Sequence, residues 1–183
     1  TIAASETQAE AFWRIRESIS DAERATGPAA QHDIAVPVEA MPRFMIEAAA
    51  ACEARFPGTH ASGFGHLGDG NIHFNLTRPK EMDDAAFLAR TADFNRIVHD
   101  IVGAMGGSIS AEHGIGLVKR AELRRYKDPA ALRLMETIKR ALDPEGLMNP
   151  GKIVDAAPMT ENLRTTSAPP YEVGQTRFDY SSQ

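Results

Sequence analysis

The sequence is short of cysteine, of aromatic residues and of long apolar runs, and each shortage excludes something. A single cysteine, Cys52, among 183 residues leaves no internal disulfide framework and suits a reducing, cytoplasmic setting. It falls on the apolar face of an expected helix and reads as core packing. No apolar run reaches the roughly 18 residues that a membrane helix needs. The N-terminus lacks a basic segment followed by an apolar stretch, so no signal peptide is expected either. Positive charge is not in excess: 20 Lys and Arg against 25 Asp and Glu give a net charge of −5. That balance argues against nonspecific nucleic-acid binding, which needs clustered cations. The length suits one domain with a substantial core, or one domain with appendages. The chain opens on Thr1 rather than methionine, as a piece of a longer protein would.

Helical periodicity is clear in four places. Phe12, Ile15, Ile19 and Ala22 draw an apolar packing stripe along a helix over about residues 5–25, ended by Gly27-Pro28. Met41, Met45, Ala48 and Cys52 do the same after Pro37 and Pro42. Phe87, Thr91, Phe94, Val98, Ile101 and Met105 mark one longer helix, capped by Asp83 or Asp84 and stopped at Gly106-Gly107. Leu132, Met135, Ile138 and Leu142 follow the Asp128-Pro129 start of another. A further short helix is expected over about 116–126. Strands are expected at about 32–36, 60–66, 71–77 and 107–110. This order predicts an α+β fold, with helices packed on one face of a small antiparallel sheet. Residues 1–153 form the folded domain in this scheme. Residues 154–183, rich in Pro, Ser and Thr without periodicity, form an extended or disordered tail.

The chemistry concentrates at His66-Leu-Gly-Asp-Gly-Asn-Ile-His73. Asp69-Gly70 predicts a two-residue type I′ turn, in which both central residues take φ > 0. That turn would pair Gly68 with Asn71, Leu67 with Ile72, and His66 with His73. Directly opposed residues have Cβ atoms roughly 4.5–5.5 Å apart, close enough for two imidazoles to grip one metal ion. Along the next strand Asn71, His73, Asn75 and Thr77 alternate with Ile72, Phe74 and Leu76, so one face is polar and the other apolar. A hairpin with two solvent-facing histidines and no metal remains the plain alternative.

A second segment, Gly106 to Gly116, supplies Glu112 and His113 between glycines that permit close approach of a ligand. Taken alone, Glu112 reads as an ordinary helix-start carboxylate and His113 as a surface residue. Joined to the hairpin, His66, His73 and Glu112 make a His₂-carboxylate set of the kind that holds a catalytic divalent metal. His113 then stands beside a ligand while free itself, suited to acid–base work near neutral pH.

Three motifs together resemble the C-terminal domain of FAD-linked oxidases related to D-lactate dehydrogenase, glycolate oxidase and D-2-hydroxyglutarate dehydrogenase. They are His66 to His73, Gly107-Ser-Ile-Ser-Ala-Glu-His-Gly-Ile-Gly116, and Leu142-Asp-Pro-Glu-Gly-Leu-Met-Asn-Pro-Gly-Lys152. The resemblance covers about residues 6–153. It implies a ferredoxin-like cap domain lacking its start, with His66, His73 and Glu112 binding a divalent metal, zinc first, with manganese and iron also compatible. It implies that His113 takes the proton of a substrate hydroxyl while a hydride passes to FAD. By the same resemblance Arg16 pairs with the substrate carboxylate, Ser20 and Asn75 contact substrate, and Asn149 lies in a flavin-facing segment, 147–152. Gln31 departs from the family: some dicarboxylate-specific relatives carry a lysine there. The departure weakens the case for 2-hydroxyglutarate and leaves a monocarboxylate such as lactate or glycolate open.

No glycine-rich phosphate loop follows a predicted strand, so the resemblance implies that FAD is bound mainly by an N-terminal domain of the same protein. The chain, a C-terminal fragment of a longer flavoenzyme or, as the alternative, a separately encoded subunit, would then be inactive alone. The implied partners are that domain, a small 2-hydroxy acid and an unidentified electron acceptor, which would allow a peripheral membrane association; assembly of copies is left open. The competing functions are a metal-dependent hydrolase, with Glu112 or His113 activating a metal-bound water, and a non-catalytic domain that docks a partner.

Overall fold

The computed structural model describes residues 2–154; the expected tail lies outside them apart from Val154. Helix α1, Glu6–Ala25, leads into strand β1, Ala29–Ala35. A 3₁₀ turn, Val38–Ala40, precedes α2, Met41–Arg55. Strands β2, His60–His66, and β3, Asn71–Thr77, form the hairpin. Then come α3, Asp84–Leu88, α4, Thr91–Ala104, α5, Arg120–Tyr126, and α6, Pro129–Leu142. The three strands form one antiparallel sheet in the order β1-β3-β2. The α+β architecture is therefore as expected.

Helices α2 and α4 pack on the apolar face of this sheet. Ile34 from β1 and Ile72, Phe74 and Leu76 from β3 meet Phe44, Ala48 and Cys52 of α2 and Phe94, Val98 and Val102 of α4. All are buried, and the Phe44 and Phe74 rings meet edge to face with centroids 5.4 Å apart. Complete burial of each large side chain contributes about 1.5–3 kcal/mol. This layer fixes the strands, and the strands carry the site on their other face.

Four expectations need correction. The hairpin closes on His66 opposite Asn71, with His73 opposite Phe64, around a four-residue loop. A type I′ turn needs positive φ at both Asp69 and Gly70, but only Gly70 adopts it, at 76°. Asp69 instead accepts the Asn71 N–H through its side chain at 3.1 Å, and Gly70 gives its carbonyl to Val36 N–H at 3.1 Å. The pairing moves by an even number of residues, so His66 and His73 still share a face, now as diagonal neighbours.

The long third helix is broken at Ala89–Arg90 into α3 and α4, although Phe87 and Phe94 are both buried against the same core. The strand expected at 107–110 is a single bridge, Ala35 with Ser108. The stripe of α1 is not a packed face: no residue of α1 is buried, and Trp13 and Ile15 are largely exposed. The face that meets the sheet is the one bearing Arg16 and Glu23. Helix α6 likewise leaves Ile138 and Leu142 exposed.

Candidate metal and substrate site

On the polar face, β3 presents His73 between Asp33 of β1 and Phe64 of β2, its two cross-strand neighbours. His66 stands at the end of β2. Beyond the Ala35–Ser108 bridge the chain folds back over this face as a turn, and Gly114 at φ 73° turns it away again. The turn delivers Glu112 and His113. His66 Nε2 lies 3.4 Å from Glu112 Oε1, and His73 Nε2 lies 3.5 Å from Glu112 Oε2. Both contacts exceed ordinary hydrogen-bond length. They match the spacing of about 3.3 Å between donor atoms that share one tetrahedral ion at bonds of about 2.0–2.1 Å. Each imidazole faces a different oxygen of the one carboxylate, and His66 stands outside the group whose donor atoms all lie within 4.8 Å of one another.

A second grouping shares two of these residues. Single donor atoms of Asp33, His73, Glu112 and His113 lie within 4.8 Å of one another. Asp33 went unnoticed in the sequence, although a carboxylate inside a strand must be partnered if it is buried. Its side chain is buried, and its Oδ2 accepts the backbone N–H groups of Ala111 at 3.2 Å and of Glu112 and His113 at 2.8 Å each. Its Oδ1 accepts Asn71 Nδ2 at 2.9 Å. Burial works to raise the Asp33 pKa, but the backbone donors at His113 and Glu112 prevail and hold the carboxyl below its usual range. The ring of His113 sits 5.8 Å from that of His73, with Nδ1 3.9 Å from Asp33 Oδ2. No described residue bonds its Nε2.

Helix α1 closes the other side. The Arg16 guanidinium stands 5.9 Å from the centre of the Phe64 ring, and that ring lies 5.1 Å from His73. Arg16 and His66 also line one open cleft of about 470 Å³ with Trp13, Leu67 and Asp69. Ser20 is half-buried one turn further along. Asn75, two residues beyond His73, is buried and donates to Glu23 Oε2 of α1 at 3.3 Å. Glu23, like Asp33 and Phe64, was absent from the sequence-derived set. Gln31 pairs with Asn75 on the same face and is exposed.

Asn149 is exposed in a left-handed turn, φ 47°. Its segment is joined to the site's exit by Ile153 N–H on Gly116 C=O at 2.9 Å and by Arg120 on Gly151 C=O at 2.7 Å. Of the expected residues, His66, His73, Glu112 and His113 come together, and Arg16 borders them. Asn75 and Ser20 lie further along, and Asn149 makes no described contact with the cluster.

A model of the family described as FAD linked oxidases, C-terminal domain, matches residues 1–153. The chain belongs to that family. This FAD-linked oxidase C-terminal domain is also similar to proteins named D-2-hydroxyglutarate dehydrogenase. One from Stutzerimonas stutzeri is 40% identical over 152 residues, 83% of this chain and 32% of the relative. Another from Xanthomonas citri pv. viticola is 37% identical over 162 residues, 88% of this chain and 34% of the relative. The mitochondrial protein of Arabidopsis thaliana is 36% identical over 148 residues, 80% of this chain and 25% of the relative. The chain thus spans about a third or less of the length of these relatives. Among the described residues no helix is long and apolar enough to cross a membrane.

Proposed function

We propose that this domain is the substrate- and metal-binding part of an FAD-dependent 2-hydroxyacid dehydrogenase. Its flavin is held mainly by an N-terminal FAD-binding domain, without which the chain is inactive. The observation that carries the proposal is the convergence of His66, His73 and Glu112 beside a cleft that Arg16 and His66 line together. When bound, the metal supplies a Lewis acid to the 2-hydroxyl and carboxylate oxygens, and the flavin supplies the hydride acceptor. His66, His73 and Glu112 hold the metal, zinc in the first instance. His113 takes the hydroxyl proton on Nε2, the nitrogen turned to neither Asp33 nor any other described partner. Arg16 pairs with the substrate carboxylate, for which a planar guanidinium is suited. Asn75 and Ser20 line the way to the substrate's far end, and segment 147–152 around Asn149 faces the flavin.

The substrate is proposed to be a monocarboxylic 2-hydroxy acid of lactate or glycolate type, although the relatives are named for D-2-hydroxyglutarate. Gln31, exposed beside Asn75, cannot pair ionically with a second carboxylate. Glu23, bonded to Asn75, adds negative charge at the same end. The test is anaerobic flavin reduction by D-lactate, glycolate and D-2-hydroxyglutarate in the flavin-loaded protein that carries this chain, wild type beside Gln31→Lys. Preference for the monocarboxylates, shifted toward hydroxyglutarate by Gln31→Lys, is the expected outcome. A wild type that prefers hydroxyglutarate refutes the substrate assignment, and silence toward every 2-hydroxy acid refutes the function itself.

A further inference from the structure

We infer that Asp33 is a positioning residue, a carboxylate that sets the backbone of Glu112 and His113 from within the protein and stays outside the metal's own ligand set. The inference rests on the proposal that His66, His73 and Glu112 hold a divalent metal. Its basis is a count of donors and acceptors. An ionised carboxylate offers about four lone-pair sites. Asp33 receives four N–H donors: three successive backbone groups, of Ala111, Glu112 and His113, and the side chain of Asn71. Its nearest approaches to imidazole nitrogen, on His73 and His113, are both 3.9 Å, longer than the 3.4 and 3.5 Å between Glu112 and the two imidazoles. Oδ2 is saturated inside the fold by the three backbone donors, and Oδ1 is engaged by Asn71.

Three consecutive N–H groups aimed at one point form the kind of concavity that elsewhere receives an anion. Here the anion is built into β1, at the position opposite His73. One side chain therefore ties the strand carrying a metal-site imidazole to the turn carrying the carboxylate and the base. The other flank of the turn is held independently. Lys119 Nζ donates to Ile109 C=O at 3.1 Å and Ser110 Oγ at 3.2 Å, and Ser110 Oγ donates to Gly114 C=O at 2.8 Å. Ala111, Glu112 and His113 are exposed to solvent as residues, yet their amides point into a buried acceptor. An exposed turn with inward-locked amides holds two functional side chains in place.

The test uses the flavin-loaded protein that carries this chain, stripped of metal with a chelator and titrated with Co²⁺, whose d–d absorption reports the ligand set. Asp33→Asn is compared with wild type and with Glu112→Gln. Asp33→Asn is expected to weaken cobalt binding about 10–100-fold, the range for partners that orient ligands, while the saturated spectrum stays that of wild type. A saturated spectrum altered as in Glu112→Gln makes Asp33 a ligand and overturns the inference, as does unchanged affinity. Should Asp33→Asn fail to fold, amide hydrogen exchange in the metal-free wild type decides. Slow exchange at Ala111, Glu112 and His113 is expected, and open-loop rates overturn the inference. Flavin reduction is read separately: its absence beside normal cobalt binding counts against the proposed function alone.

Discussion

Asp33 and His73 stand opposite one another across the β1–β3 ladder, with His73 Nδ1 3.9 Å from Asp33 Oδ1. His73 is held between strands and mostly covered, whereas His66 sits at the open end of β2 with half its side chain exposed. The two histidines should therefore be unequal. Replacing His73 by Ala is expected to abolish near-stoichiometric metal, and His66→Ala to weaken it less. Elemental mass spectrometry on the purified variants checks both.

The hairpin loop depends on one glycine. A Cβ on Gly70 would lie 1.9 Å from the Val36 carbonyl oxygen, at a φ of 76° that L-residues rarely adopt. Gly70→Ala is expected to cost about 2 kcal/mol or more, read by urea denaturation. Because His66 and His73 flank this loop, metal affinity should fall with it.

A pair of buried imidazoles predicts acid sensitivity. His32 and His99 lie in the interior with ring centroids 6.0 Å apart. Burial, reinforced by His99 and Lys119, pushes the His32 pKa down from 6.5 to about 4, against the opposing hydrogen bond to Phe74 C=O. The His99 pKa is lowered chiefly by burial too, in spite of Glu122. A depressed histidine pKa means that the unfolded chain binds more protons between about pH 4 and 6.5. The stability contribution of neutral His32 is thus complete above about pH 6.5 and lost as pH falls toward 4. Its full extent is roughly 3 kcal/mol. Urea midpoints at pH 7 and pH 5 should differ in this sense, and His32→Gln should flatten the difference.

Arg16 is expected to act on substrate binding. Arg16→Met should lower kcat/KM for every 2-hydroxy acid by roughly 10–100-fold, the worth of a hydrogen bond to a charged group, chiefly through KM. Steady-state kinetics across several acids checks this, and a loss confined to kcat would contradict it.

Much of the site was legible because it is written in local sequence. Period-two alternation in β3 gave the polar and apolar faces, and glycines around Glu112 and His113 gave the turn. What escaped depends on contacts distant in the chain. Asp33 and Asn71 meet only once β1 pairs with β3, and Glu23 finds Asn75 only when α1 crosses the sheet. The hairpin register escaped because Val36 captures the Gly70 carbonyl, a tertiary bond that Asp69-Gly70 alone does not reveal. The stripe of α1 looked like a packing face from its period, yet none of its residues is buried. Periodicity states what a face could bury, and the partner decides whether it does.

The most direct measurement is stopped-flow flavin reduction by a 2-hydroxy acid in the flavin-loaded protein that carries this chain, before and after chelation and again after metal is restored. The expected result is rapid bleaching that disappears with the metal and returns with it, and that Glu112→Gln abolishes. Bleaching indifferent to chelation, or no bleaching by any 2-hydroxy acid, would contradict a metal and substrate site built on His66, His73, Glu112 and His113.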